Sequence, residues 1–339
     1  MKILIVKLGA VGDVAHTLPA LHSLRKSFPE AFIAWVVEKK ALQVIRDNPY
    51  IDEVILFERK ELERTFRKDG LFAAIRFLAS FGKKLKSYHF DIAIDFQTLF
   101  KSGLITWLSG AKKRVGFDKW RELNKLFTNS RLKSNKRHTI DKYLDLVVSV
   151  GGSADSTPVK IYYAKEDADY VDRFIRDEGL ESKKWIAINP GASWTSKLWG
   201  AQRYAILCDL LNEASVPHVI VWGPGEEKIV EEIQEKAGNE LLIAPPTSIK
   251  QLACLLERSS LYVGGDTGPM HMAVAMGTPV AGIFGPSDPE RNGPYGEGQK
   301  VLQADLDCIK CWKRSCPTVE CMEKVTPQSV IDAIKEILK

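Results

Sequence analysis

Short strands alternating with helices, in two similar halves, predict an α/β protein with two domains, each built on a parallel sheet covered by helices on both faces. Three observations carry this expectation. Apolar runs of four to seven residues recur along the chain, separated by stretches with helical spacing. The 339 residues correspond to about two domains at ~150 residues each. The composition, 45% hydrophobic and 27% charged, is that of an ordinary globular chain. It excludes a disordered, collagenous or disulfide-scaffold protein, and no run nears the ~18 apolar residues of a membrane span.

The elements follow in order. Residues 3–6 are an apolar run ended by Gly9, and residues 14–28 carry Leu18, Leu21 and Leu24 at helical spacing. Residues 31–37 read as a strand, 40–46 as helical, 53–57 and 92–95 as strands, and 98–108 as a helix. Gly151, Gly152, Ser153 and Pro158 interrupt the pattern, so the domain junction is expected there. The expected division is 1–158, 159–325 and a closing helix over 326–339. In the second half, 185–189, 218–222, 241–244, 261–263 and 280–284 read as strands. Helices are expected at 202–213, 226–237, 249–257, 269–276 and 326–338, the last with Pro327 in its first turn.

The net charge of +5 conceals an asymmetry. Residues 1–160 hold 29 Lys and Arg against 17 Asp and Glu, and the remainder holds 19 against 26. A basic half suggests an anionic partner, although solvated lysines on plain helices give the same balance. The opening run of Met1–Val6 meets Lys7 too soon for a signal peptide, which points to a cytoplasmic protein.

In an open α/β sheet, ligands bind beyond the carboxyl ends of the strands, so the loops there are the candidates. After the first strand come Gly9, Gly12, Asp13 and His16. The glycines are spaced GxxG, not as a dinucleotide fingerprint. Asp13 is placed either to cap the next helix or to act as a general base; His16 is a second polar group there or a satisfied helix histidine. Residues 262–271 bring a strand into Gly264, Gly265, Asp266, Thr267 and Gly268 and then a helix with Pro269 near its start and His271 within it. A helix N-terminus behind a glycine turn suits a phosphate. A third loop supplies Ser193, Thr195, Ser196 and Lys197, the last a point charge for a leaving diphosphate. A fourth, 222–226, ends on Glu226, which could accept from ribose hydroxyls or favour a helix start. The Walker pattern GxxxxGK[ST] is absent.

These motifs together resemble the lipopolysaccharide heptosyltransferases of glycosyltransferase family 9, type I most closely. The resemblance is carried by Gly12-Asp13-Val14 with His16-Thr17-Leu18-Pro19-Ala20-Leu21, by Trp35-Val36-Val37-Glu38, and by Asp95-Phe96-Gln97 with Lys101-Ser102. Lys197-Leu198-Trp199, Asp266-Thr267-Gly268 with His271, and residues 284–289 with Gly293 and Tyr295-Gly296 extend it. It implies the GT-B fold, two Rossmann-like domains facing a cleft. It also implies inverting, metal-independent transfer of heptose from ADP-heptose to Kdo of a lipid A precursor. By position, Asp13 matches the base, Lys197 the diphosphate lysine, Asp266–Gly268 the donor turn, His271 the histidine of that helix and Glu226 the ribose carboxylate. Ser193, Thr195 and Ser196 join the donor side. Gly12, His16, Lys101 and the basic Arg59, Lys60, Arg64, Arg67 and Lys68 fall on the acceptor side. The basic stretch 58–90 also interleaves Phe66, Leu71, Phe72, Phe77, Leu78 and Phe81, which suits a lipid acceptor or anionic headgroups; a solvated helix packed by its apolar face is the alternative. The expected setting is the cytoplasm, with the protein working peripherally at the inner leaflet of the inner membrane and as a monomer; no nucleic acid partner is expected, since no recognised motif accompanies the charge. The rivals are a member using another nucleotide sugar or a heptosylated acceptor, a nucleotide-sugar epimerase, and a non-catalytic lipid-binding protein.

Cys308, Cys311, Cys316 and Cys321 stand outside that pattern. Four thiols in this span are enough for a structural zinc, with a disulfide or free thiols as the other readings; no cofactor is expected for catalysis. Cys208 and Cys254 read as small core residues.

Overall fold

The computed structural model describes residues 1–118 and 122–339. The chain divides into two compact units, Met1–Tyr162 and Tyr163–Lys339.

In the first unit, β1 (Lys2–Val6), β2 (Phe32–Val37), β3 (Glu53–Leu56), β4 (Ile92–Asp95), β5 (Lys113–Phe117) and β6 (Ser130–Leu132) form one sheet. The order is β3-β2-β1-β4-β5-β6, and every pairing is parallel. Ile5 lies opposite Trp35 on one side and Ile94 on the other. Ile3–Val6 and Ile33–Val37 are buried throughout, as a sheet covered on both faces demands. Leu4, Val6, Ala34, Val36 and Ala93 build one core layer with Leu85 and Ile105 from the flanking helices.

The second unit holds β7 (Ile186–Asn189), β8 (His218–Ile220), β9 (Leu261–Gly265), β10 (Val280–Phe284) and β11 (Lys300–Gln303). Their order is β11-β10-β9-β7-β8, again all parallel. The helix Ile249–Arg258 starts at Ser248, whose hydroxyl accepts from the Gln251 N–H while the Gln251 side chain accepts from the Ser248 N–H. The last helix, Pro327–Leu338, begins with proline in its first turn and Thr326 accepting from the Ser329 N–H. It packs on the helix Ala201–Glu213 and on β9, β10 and β11.

Both sheets reverse their strand order at one point, β1/β4 in the first unit and β7/β9 in the second. Loops after strands at such a point diverge to opposite faces, where ligands bind in open α/β sheets. Residues 7–13 and 96–98 follow the strands at the first point, and residues 190–197 and 266–267 those at the second.

The expected strand over 241–244 is not one. Only Ile243 forms a bridge, to Ile220, with the Ile220 N–H donating to Leu242 O and the Ala244 N–H to Ile220 O. Pro245 and Pro246 follow at once, and proline offers no N–H to continue a ladder. Conversely, β5, β6 and β11 have no counterpart in the apolar pattern. β5 opens with Lys113-Arg114, β6 contains Arg131, and the outer strand β11 is half exposed. Strands that are not buried on both faces need no continuous apolar run.

Candidate functional site

The first unit positions Asp13 through a short helix, Val11–Ala15, directly after the β1 loop. Its carboxylate is about half exposed, at 48%. Oδ2 accepts from the Ala10 N–H at 3.3 Å, and Oδ1 lies 4.0 Å from the Lys7 Nζ. Asp13 therefore closes the helix start and still presents itself to solvent. Lys7 is buried behind it and donates to the Tyr143 hydroxyl at 2.7 Å. Burial alone would lower the Lys7 pKa, but Asp13, Tyr143 and Asp95 raise it above the ordinary lysine value. A permanent cation thus sits beneath Asp13. The adjoining loop is fixed by Gln97, whose side-chain oxygen accepts from the Leu8 and Gly9 N–H groups. Asp95 holds that loop in turn, accepting from the N–H groups of Gln97 and Thr98, the Ser102 hydroxyl and the Asn124 amide. Burial pushes the Asp95 carboxyl up despite those donors.

In the second unit, Lys197 and Asp266 come together from the loops after β7 and β9. The Lys197 Nζ donates to the Asp266 carboxylate at 2.6 Å and to its backbone oxygen at 3.0 Å. His271 Nε2 lies 3.3 Å from the other carboxylate oxygen. Burial would raise the Asp266 carboxyl, but the His271 hydrogen bond and the charges of His271 and Lys197 hold it well below the usual carboxylate range. Asp266 thus acts on Lys197 and fixes its ammonium in place. Next to it, the helix Gly268–Ala275 begins at Thr267, which makes no side-chain cap; the first N–H groups of a helix have no intrahelical acceptors, and Pro269 leaves one fewer of them here.

Glu226 is half buried, with its carboxylate accepting from the Gly223 N–H at 2.9 Å and facing the Asn189 amide at 3.5 Å. Burial raises its pKa. A Cβ on Gly191 would collide with this carboxylate, so the glycine after β7 leaves the space it fills. Ser193 is exposed. The Thr195 and Ser196 hydroxyls point elsewhere, donating to the backbone oxygens of Arg314 and Lys313.

The acceptor-side candidates divide. Gly12 and His16 are buried, His16 with its ring edge against His138. Lys101 and Arg59 both meet Glu38, at 2.7 and 3.3 Å, so Glu38 ties two cations at the end of β2. Lys60, Arg64, Arg67 and Lys68, with Glu63, line an open groove of about 510 Å³.

The expectation of a structural zinc finds no support. Among the described residues, no group of three or more His, Cys, Asp or Glu side chains is placed to hold a metal. Cys308 and Cys311 are exposed, Cys316 contacts the Thr318 hydroxyl at 3.6 Å, and Cys321 is buried beside Gly285. All are free thiols.

Sequence reasoning gave no role of their own to Lys7, Glu38, Gly191 and Arg314. A lysine directly ending a buried apolar strand was the available signal for Lys7. Arg314 gave none, because only the fold sets its guanidinium over the Trp194 ring, whose centroid also lies 4.6 Å from the Lys197 Nζ.

The family model described as glycosyltransferase family 9 (heptosyltransferase) matches residues 78–322. The chain belongs to glycosyltransferase family 9. It is similar to the lipopolysaccharide heptosyltransferase 1 of Pseudomonas aeruginosa, at 26% identity over all of this chain and 98% of that one. Its fold matches a family 9 glycosyltransferase from Veillonella parvula with a TM-score of 0.85 at 23% identity, covering 99% of this chain and 97% of that one. It also matches the Escherichia coli heptosyltransferase WaaC with ADP, at TM-score 0.78 and 25% identity over 99% and 100% of the two chains. This family 9 glycosyltransferase therefore has the GT-B fold that its motifs implied.

Proposed function

We propose that this enzyme transfers heptose from ADP-L-glycero-D-manno-heptose to a Kdo residue of a lipid A precursor in the lipopolysaccharide inner core. The pairing of Lys197 with Asp266 beside an uncapped helix start carries the reading. A fixed cation beside backbone donors would suit a nucleotide diphosphate that gains negative charge. The names of the relatives support heptose as the sugar and lipopolysaccharide as the acceptor class.

On this reading, Asp13 takes the proton from the acceptor hydroxyl as its oxygen attacks the anomeric carbon opposite the diphosphate. The bond from that carbon to the diphosphate oxygen breaks, and ADP leaves with the electron pair. A single displacement inverts the anomeric centre. Lys197 and the Gly268 N–H stabilise the departing diphosphate in the place of a divalent cation. Thr267 and His271 complete the donor turn, Glu226 receives the ribose hydroxyls, and Arg59, Lys60, Arg64, Arg67, Lys68 and Lys101 meet acceptor phosphates and carboxylates.

The test is ADP release from ADP-heptose with and without Kdo-lipid A, followed by mass spectrometry of the lipid. Release that depends on the acceptor, with a matching mass gain, is expected. Lys197→Ala should weaken both donor binding and turnover. Turnover of the sugar nucleotide without acceptor, or transfer only to an already heptosylated lipid, would overturn the assignment.

A further inference from the structure

The helix Arg59–Ser87 carries two faces of different character. Its inner face, Phe77, Leu78, Phe81 and Leu85, packs on the core of the first unit. At Gly70 the helix breaks, with φ at +80°. Around that break, large apolar side chains point to solvent: Phe66 is 54% exposed, Leu71 60%, Phe72 84% and Ile75 52%. Leu71 and Ile75 are four residues apart and Phe72 and Ile75 three, so they share one face of the second segment. Exposing large apolar side chains is costly in water, and an apolar face such as that of Leu71, Phe72 and Ile75 marks a contact surface.

The surrounding charge is one-sided. The helix holds nine Lys and Arg against three Asp and Glu. Arg67 and Lys68 precede the break, and Arg76, Lys83, Lys84 and Lys86 follow it, all of them exposed. Among the described residues, no helix is long and apolar enough to cross a membrane. Apolar side chains flanked by cations, on an element too charged to span, match a layer with anionic heads and an apolar interior. A protein partner complementary to this face would need an acidic rim around an apolar socket; a bilayer rich in anionic lipid offers both without further fitting.

We propose that the break at Gly70 is a membrane foot: Phe66, Leu71, Phe72 and Ile75 enter the interface of an anionic lipid bilayer while the flanking Arg and Lys side chains bind its headgroups. This deepens the acceptor reading above, since a lipid acceptor resides in such a layer, but it concerns the bilayer and not the sugar. The attraction has two parts, and only the electrostatic one is screened at a Debye length of roughly 8 Å in physiological salt.

The full chain is tested by co-sedimentation with vesicles of phosphatidylethanolamine and phosphatidylglycerol, and with vesicles of phosphatidylcholine alone. Binding to the anionic vesicles, weakened but not abolished by 0.5 M salt, is expected. The double variant Leu71→Asp, Phe72→Asp should bind them at least tenfold more weakly. It should lose turnover on acceptor embedded in vesicles and keep turnover on a deacylated, water-soluble acceptor. Its circular dichroism and melting temperature, matching wild type, exclude a folding defect. Leu71→Ser, Phe72→Ser repeats the test without added charge and should give an intermediate loss. Equal affinity of wild type for both vesicle types overturns the proposal, as does unchanged binding by both variants. A wild-type dimer that the variants convert to monomer also overturns it, since the patch then covers a second copy. Vesicle binding is read without any sugar transfer, so the proposal and the assigned activity fail separately.

Discussion

At the residue scale, Asp13 and Asp266 are both carboxylates at helix starts, and their surroundings give them opposite tasks. Asp13 is half exposed, with one oxygen on a backbone N–H and Lys7 4.0 Å from the other. We expect Asp13→Ala to lower kcat by about 10²–10⁴-fold, the range of a lost general base, with ADP-heptose affinity by calorimetry unchanged. Retained turnover would remove the base role. Asp266 is 6% exposed and locked to Lys197 and His271. Its folded pKa lies below its unfolded one. The stability it contributes is therefore complete above the unfolded carboxylate value of about 3.9 and is lost as pH falls below it. Asp266→Asn should cost about 3 kcal/mol at pH 7, the scale of a broken buried pair. In urea titrations the gap between wild type and variant should narrow below pH 4. A gap that stays constant down to pH 2 would contradict the pairing.

At the scale of elements, each site depends on where a strand hands over to its loop. Asn189 ends β7, and Gly191 two residues later leaves room for the Glu226 carboxylate. Gly191→Ala should push that carboxylate off the Gly223 N–H. The expected result is a KM for the nucleotide sugar raised about tenfold, equivalent to ~1.4 kcal/mol, with little change in kcat or melting temperature. An unchanged KM would mean that Glu226 does not meet the donor. In the centre of the sheet the limit is steric. A Cβ on Gly264 would lie 2.8 Å from the Asn189 backbone oxygen and 2.5 Å from the Tyr262 hydroxyl oxygen. Gly264→Ala is expected to destabilise the second unit by about 1–3 kcal/mol, seen as a lower melting temperature. These contacts also mark what a sequence conveys: the strand 261–263 was legible from its apolar run, whereas Gly264 and Gly265, inside β9, read only as a turn.

For the whole molecule, of the four cysteines of 308–321 Cys321 is buried and Cys308 and Cys311 are exposed, and among the described residues no group is placed to hold a metal. Exhaustive chelation followed by gel filtration should leave the melting temperature within about a degree and turnover unaltered. A fall of more than a few degrees, restored by zinc alone, would reinstate a metal site. The cysteine segment has a structural role, because Lys313 and Arg314 accept hydrogen bonds from Ser196 and Thr195 and Trp312 contacts Trp194 edge to face. It braces the loop that carries Lys197.

The sequence by itself determined the α/β class, the central strands and the loops bearing Asp13, Lys197, Glu226 and Asp266. Strands buried on both faces must be continuous apolar runs, and loops at their ends must be rich in glycine and polar residues. It left β5, β6 and β11 hidden because β5 opens with Lys113-Arg114 and the edge strands β6 and β11 are partly exposed. The tertiary structure alone decided that Lys7 stands under Asp13, that Asp266 holds Lys197, that the Thr195 and Ser196 hydroxyls brace a distant segment, and that Phe72 faces solvent while Phe81 packs inward. Lys197 and Asp266 lie 69 positions apart and Ser196 and Lys313 117, and local periodicity records only which face of its own element a residue occupies.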